Sequence, residues 1–216
     1  MTIIKRNFIL KILSFFFVAS AWVAAEDSFQ AKMYGVESGI LKSEIAVGYP
    51  GDKTIIHETL YWDNWGLKIT KYQIPESGKG GTKNIINYIY EAGKIRPGKM
   101  VLVKLDDMST KETLTPASRV MSSLTREDLN HVSLSLMAAS GSKKTGETRS
   151  WLGKTCDIWL NHTGAINCLW QGLIMHTKIS VVGGMESIKT PTHVYTGAVD
   201  PVHFTVPGPQ RPDLSK

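Results

Sequence analysis

Little in this sequence points to chemistry of its own. Two cysteines stand in 216 residues, too few for a disulfide-dense mini-protein, and neither belongs to a C-x-x-C redox motif or to a short Cys/His pair of the zinc-binding type. The patterns H-E-x-x-H, G-x-S-x-G and G-x-x-x-x-G-K-[ST] are missing, so a zinc protease, a nucleophile elbow and a phosphate loop all lack their signature. Lys79-Gly80-Gly81-Thr82 has the look of a phosphate-loop fragment but not the spacing, and reads as a linker. The histidines (His57, His131, His162, His176, His193, His203) are isolated, with no pair four apart. The carboxylate pairs Asp106-Asp107 and Glu127-Asp128 are explained by a turn and a helix start. No catalytic residue, no metal site and no cofactor is expected, and the chain reads as a non-enzyme.

Strong charge is missing too. The formal charge is +6, from 25 Lys+Arg against 19 Asp+Glu, but Lys5, Arg6 and Lys11 all lie in the first 25 residues. Without those residues 22 basic side chains face 19 acidic ones, a charge of +3. Lys143-Lys144 is the one adjacent basic pair in the remainder. A nucleic-acid-binding face must neutralise several phosphates, and nothing here builds one. Apolar residues at 42% and charged residues at 20% are enough for a folded core and exclude a disordered chain.

Long apolar runs are confined to one place. Residues 1–25 (MTIIKRNFILKILSFFFVASAWVAA) combine a basic start, an apolar stretch and small residues before Glu26, the layout of a cleavable signal peptide. An uncleaved anchor is the alternative, since residues 8–25 approach spanning length; Lys11 interrupts that stretch and a cleavage site ends it. No Cys near the cut invites lipid attachment, and no later segment is long and apolar enough to span. The expectation is an exported, periplasmic chain of one domain at 26–206, with a frayed tail at 207–216 and no membrane span after cleavage.

In an oxidising compartment the two cysteines, Cys156 and Cys168, most simply form one disulfide. Asn161-His162-Thr163-Gly164 is a turn signal between two short strand-like runs, which would place the cysteines opposite each other. Closing such a loop stabilises by about 3 kcal/mol in the chain-entropy model.

Elsewhere the dominant period is two. Residues 39–49 (GILKSEIAVGY), 54–62 (TIIHETLYW) and 67–74 (LKITKYQI) are strand-like runs separated by Tyr49-Pro50-Gly51-Asp52 and Asp63-Asn64-Trp65-Gly66, an antiparallel meander. Residues 84–92 (NIINYIYEA) are apolar on both parities and fit either a buried strand or a short helix. Residues 100–105 (MVLVKL) read as a strand. Residues 142–149 are polar. In 173–182 (LIMHTKISVV), Leu173, Met175, Ile179 and Val181 share one parity, with Thr177 the polar exception. Val202 to Val206 is the last expected strand in a Pro-rich tail.

One helix has good boundary chemistry. Thr125 and Asp128 stand in capping-box positions, Leu124 and Leu129 in hydrophobic-staple positions, and Leu129, Val132, Leu136 and Met137 form an apolar stripe. The expected helix covers 126–139 and ends at Ser140-Gly141. About ten strands and one helix imply a mainly β fold: one curved antiparallel sheet, a half-barrel, with one or a few helices on its concave face.

The order of these features resembles bacterial periplasmic proteins of the LolA-like, outer-membrane lipoprotein carrier-like fold. The residues that carry the likeness are Gly39-Ile40, Gly51, Tyr61-Trp62, Asp63-Asn64-Trp65-Gly66 and the strand from Lys68 to Tyr72. Further on come Thr145 to Thr148, Gly153-Lys154, Cys156, Cys168-Leu169-Trp170, Gly172-Leu173 and Phe204-x-Val206-Pro207. That resemblance implies a half-open sheet around a helical plug, and a groove that takes acyl chains as a carrier does. It supplies no ligand-contact residue for this chain.

Two functional readings follow. In the first, a lipid or other hydrophobic ligand occupies a groove lined by the inward parity, including Leu41, Ile45, Val47, Leu102, Met175 and Ile179. The aromatics Trp62, Trp65, Trp151, Trp159, Trp170, Tyr61, Tyr72, Tyr88 and Tyr90 either join that lining or fill the core. In the second, the core is filled and a protein partner of the cell envelope binds an exposed aromatic edge or the Pro-rich tail.

Overall fold

The computed structural model describes residues 31–76, 84–89, 99–104, 109–114, 125, 127–181 and 183–205. The leader at 1–25, the tail at 207–216, Leu124 and Tyr90 lie outside the described residues.

Eleven strands make one antiparallel sheet. They are β1 (Gly39–Tyr49), β2 (Asp52–Asp63), β3 (Lys68–Pro75), β4 (Asn84–Ile89), β5 (Lys99–Lys104), β6 (Thr110–Leu114), β7 (Lys143–Trp151), β8 (Lys154–Leu160), β9 (Ile166–Trp170), β10 (Leu173–Ser180) and β11 (Glu186–Thr196). Between β6 and β7 comes the helix α1 (Val132–Ala139). The order across the sheet is β6-β5-β4-β3-β2-β1-β11-β10-β9-β8-β7. The last strand thus inserts beside the first, and β6 and β7 end up as opposite, unjoined edges. Between these two edges in sequence lies α1, which packs on one face of the sheet.

Local chemistry explains most of the turns. Pro50-Gly51 closes β1 onto β2, with Gly51 at φ +88°, as a turn with Pro first and Gly second requires. Two hairpins close on two residues with both φ values positive: Leu152-Gly153 between β7 and β8, and Gln171-Gly172 between β9 and β10. Such turns match the twist of the flanking strands. The β8–β9 loop is built on Asn161, whose Oδ1 accepts from the backbone N–H of Thr163 and Ala165 and from the Thr163 hydroxyl.

Several expectations are corrected. Residues 84–89 are strand, the first of the two alternatives left open for 84–92. Three strands were not expected: β6, β7 and β11. Strand β7 is an edge, exposed along nearly its whole length, so its polar sequence carries no alternation. Strand β11 is central yet contains Pro191, which sits where the register with β1 shifts between Lys42 and Ser43, a place where a missing N–H is tolerated. Residues 201–204 form a short 3-10 turn rather than the expected strand. Pro201 fixes φ at its start, and Asp200 Oδ1 accepts the Val202 N–H at 2.9 Å.

The helix start is also displaced. The Thr125–Asp128 cap forms as expected: Asp128 Oδ2 accepts from the Thr125 N–H at 2.9 Å, and the Asp128 N–H donates to the Thr125 hydroxyl at 3.2 Å. Residues 128–131 are nevertheless a 3-10 turn, and α-helix begins only at Val132. The reason is competition for backbone groups. The Leu129 carbonyl accepts the Lys32 N–H at 2.7 Å, and the Val132 N–H donates to the Lys32 carbonyl at 3.0 Å.

The disulfide Cys156–Cys168 is formed, with Cα atoms 5.3 Å apart. Its cysteines are not directly opposite, because Cys168 pairs in register with Ile158, two positions along from Cys156. They are diagonal neighbours on one face, within the normal reach of a disulfide. Both are buried, and the bond points to an oxidising compartment.

Candidate functional site

Cross-strand register defines the face that meets α1. Leu41 pairs with Leu60, Leu60 with Lys71, and Ser43 with Glu58. Ile45 pairs with both Ile56 and Lys189, and Lys189 with Thr177. Directly paired residues share a face, so Leu41, Ser43, Ile45, Glu58, Leu60, Lys71, Thr177 and Lys189 all project toward the helix side.

Between this face and α1 is a cavity of about 490 Å³, within the range of small-molecule sites. Its apolar wall comes from Met33, Tyr34, Leu60, Ile69, Leu136, Met137 and Ile174. Ser133, Ser140, Gly172 and Thr177 complete most of the polar lining, and Glu58, Lys71 and Lys189 supply charge.

The segment 32–37 holds this arrangement together, although it belongs to no strand or helix. Met33 and Tyr34 donate backbone N–H bonds to the Trp65 carbonyl at 2.9 and 3.0 Å, and Gly35 donates to the Gln171 carbonyl at 2.8 Å. Trp62, fully buried, donates its indole N–H to the Val36 carbonyl at 3.1 Å and meets the Tyr34 ring edge-on at 6.0 Å. The helix is fastened by the Ser133 hydroxyl, which donates to the Gly172 carbonyl at 2.5 Å. Gly66 has φ +79°, and a Cβ there would lie 2.5 Å from the Tyr34 ring. Any side chain at that position would push on the cavity wall.

The charged end is a three-residue network. Lys189 Nζ lies 2.7 Å from Glu58 Oε1, and Lys71 Nζ lies 3.9 Å from Glu58 Oε2. The Gln73 amide donates to Glu58 Oε2 at 2.8 Å. Glu58 is 5% exposed. Burial alone would raise its carboxyl, but Lys189, Lys71 and the bonds from Lys189 and Gln73 outweigh it, so the group titrates below the usual carboxylate range. Burial lowers the Lys71 ammonium below its ordinary value, with Glu58 acting in the opposite sense and Lys189 in the same one. Beside Glu58 in register, the buried Ser43 hydroxyl has no hydrogen-bond partner.

None of the six residues expected to line the groove borders this cavity. Leu41 and Met175 are packed in the core, Ile45, Val47 and Leu102 are half-buried, and Ile179 is exposed. The single parity expected for 173–181 is broken, because the β9–β10 register shifts between Ile174 and His176. Leu173 therefore faces away from the cavity with Trp170, while Ile174 and Thr177 face it. Among the expected aromatics whose side chains are described, Trp62 is core and none lines the cavity; Tyr34 does. The triad had a signal that sequence reading passed over. Glu58 shares its parity with Ile56, Leu60 and Trp62, and Lys71 shares its parity with Ile69. A charged residue on an apolar parity is the mark of a buried, paired group.

Among the described residues, no group of three His, Cys, Asp or Glu side chains is placed to hold a metal ion. No described helix is long and apolar enough to cross a membrane.

No family model matches the chain, and no curated protein matches it. Solved structures do. A LolA superfamily protein from Nitrosomonas europaea is similar over 80% of this chain and 91% of its own, at 7% identity and a TM-score of 0.40. A candidate outer membrane lipoprotein-sorting protein domain from Vibrio parahaemolyticus is similar over 78% and 89%, at 9% identity and a TM-score of 0.39. A DUF1329 family protein from Desulfovibrio piger is similar over 79% and 90%, at 9% identity and a TM-score of 0.36.

Proposed function

We propose that this chain is an exported, non-catalytic binding or carrier protein that shelters an acyl chain or other hydrophobic ligand between its sheet and α1. The observation that carries the reading is the cavity of about 490 Å³ walled by Met33, Leu60, Ile69, Leu136, Met137 and Ile174. The space is an open cleft with a mostly apolar wall, the kind of concave surface on which small hydrophobic ligands bind. The basic, apolar and small-residue layout of 1–25 and the disulfide support export to the periplasm.

The test is binding of N-phenyl-1-naphthylamine, a neutral reporter that fluoresces in apolar sites. Saturable binding to the purified chain is expected, and Ile174→Trp, which fills the space, should abolish it. Native mass spectrometry of protein purified from its own periplasm should then find a co-purifying lipid. A chain that binds no reporter and is consistently empty would sink the carrier reading and favour a cell-envelope protein-interaction module.

A further inference from the structure

We propose that the Lys71–Glu58–Lys189 network is a head-group site, and that the ligand is a single-chain amphiphile with one negatively charged oxyanion head. This rests on the binding role proposed above and specifies its ligand.

The charges do not balance within the network. Among the described residues, Glu58 is the carboxylate within ion-pair distance of either lysine, so two cations share one anion and the cluster carries +1. A cation in an otherwise apolar wall is unfavourable unless it is paired, and one more single negative charge would complete the pairing.

The geometry identifies which cation is available. Lys189 is engaged with Glu58 Oε1 at 2.7 Å, a full charge-assisted hydrogen bond. Lys71 stands 3.9 Å from Oε2, beyond hydrogen-bond length, and that oxygen already accepts from Gln73 at 2.8 Å. The Lys71 ammonium therefore has donors to spare, its side chain is 24% exposed, and it lines the cavity. Glu58 and Gln73 hold the site in place, and the ligand's head would take the position that Glu58 cannot supply.

The apolar remainder sets the tail. Leu60, Ile69, Leu136, Met137 and Ile174 offer a surface for an alkyl chain. A volume of about 490 Å³ lies in the lower half of the roughly 300–1,000 Å³ typical of small-ligand sites, which suits one chain rather than a lipid with several. A carboxylate head matches the single surplus charge better than a phosphate monoester, which approaches two negative charges at neutral pH.

The experiment is displacement of N-phenyl-1-naphthylamine by dodecanoate, dodecyl phosphate, dodecanol and dodecyltrimethylammonium, all with the same tail. Dodecanoate should bind at least tenfold tighter than dodecanol, and the cationic amphiphile weakest. Lys71→Met, which keeps the apolar stem, should remove the preference, leaving dodecanoate and dodecanol bound to the same level. Lys71→Arg should retain the preference. Raising the salt concentration should narrow the gap in the unmodified chain, a measurement that needs no variant. Tighter binding of dodecyl phosphate than of dodecanoate would assign the oxyanion to a phosphorylated lipid rather than a free fatty acid. Equal binding of dodecanoate and dodecanol would overturn the head-group site and leave the apolar cavity standing. Failure of the reporter itself to bind would remove the cavity reading and this one with it.

Discussion

The two faces of the sheet are finished differently. On the face away from α1, the short turn at 201–204 lays its side chains on β2 and β3. His203 stacks on Tyr61 at 4.1 Å, Tyr72 meets Tyr61 edge-on at 5.8 Å, and Lys68 lies over the Phe204 ring at 4.8 Å. The same face carries the disulfide, with Trp151 stacked on His176 at 4.7 Å. Burial, reinforced by Arg149 and then Lys178, holds His176 below its ordinary titration range despite a bond with the Lys189 backbone. That face is packed by rings in contact. On the other face, among the described residues, the segment 32–37 and one helix of eight residues cover the centre and leave a space beside Leu136 and Met137. The same strands supply both surfaces. Among the described residues, the cavity is therefore a consequence of how little is laid over one face, not of a weakness in the sheet.

Paired truncations test this contrast most directly. Phe204→Ala, at a residue 5% exposed, should destabilise by about 3 kcal/mol, the lower end of the range for buried rings. Leu136→Ala, on the half-buried cavity wall, should cost roughly 1 kcal/mol, since part of its surroundings is already open. Urea unfolding of both variants measures the difference, and equal losses would mean that the two faces are packed alike.

Removing the disulfide acts on the packed face. Cys156→Ala combined with Cys168→Ala should lower stability by about 2–3 kcal/mol. Reporter binding on the opposite face should be unchanged at temperatures where the variant is folded. Loss of binding in the folded variant would show that the faces are not independent.

The smallest effect concerns acid. Glu58 titrates in the folded chain below its unfolded value, so its contribution is fully present above the unfolded carboxylate pKa and is lost as pH falls through the folded one. The Lys71 shift has the opposite effect on stability. Its folded value is depressed, so it works against stability at neutral pH, and that effect fades as pH rises through the folded pKa toward the unfolded one. Thermal unfolding between neutral and acid pH should fall less steeply for Glu58→Gln than for the unmodified chain. An unchanged acid slope would mean the network does not hold Glu58 ionised.

Legibility tracked the range of the interaction. The β1–β2–β3 meander, the Pro50-Gly51 turn and the Thr125–Asp128 cap depend on residues within a few positions of one another, and all appear in the folded chain. The edge strand β7 escaped notice because both its faces are exposed, although Leu152-Gly153 marks its hairpin. Strand β11 escaped because Pro191 argues against a central strand until the register shift that accommodates it is known. The parity of β10 is hidden for a related reason, since one shifted residue reverses every side chain beyond it.

The sequence by itself determined that β1, β2, β3, β5, β8, β9 and β10 become strands, where their tight turns fall, how the 125–128 turn is capped and that two lone cysteines would pair. Each of these is decided by backbone preference, side-chain period or the oxidising chemistry of thiols. Tertiary structure alone decided that β11 would pair with β1, and this brings Lys189 to within 2.7 Å of Glu58. It also decided that segment 32–37 would bind the helix start, and that a cavity would remain beside the helix. Those outcomes depend on contacts between residues from tens to more than a hundred positions apart, whose pairing is selected by the packing of the whole sheet and not by any local pattern.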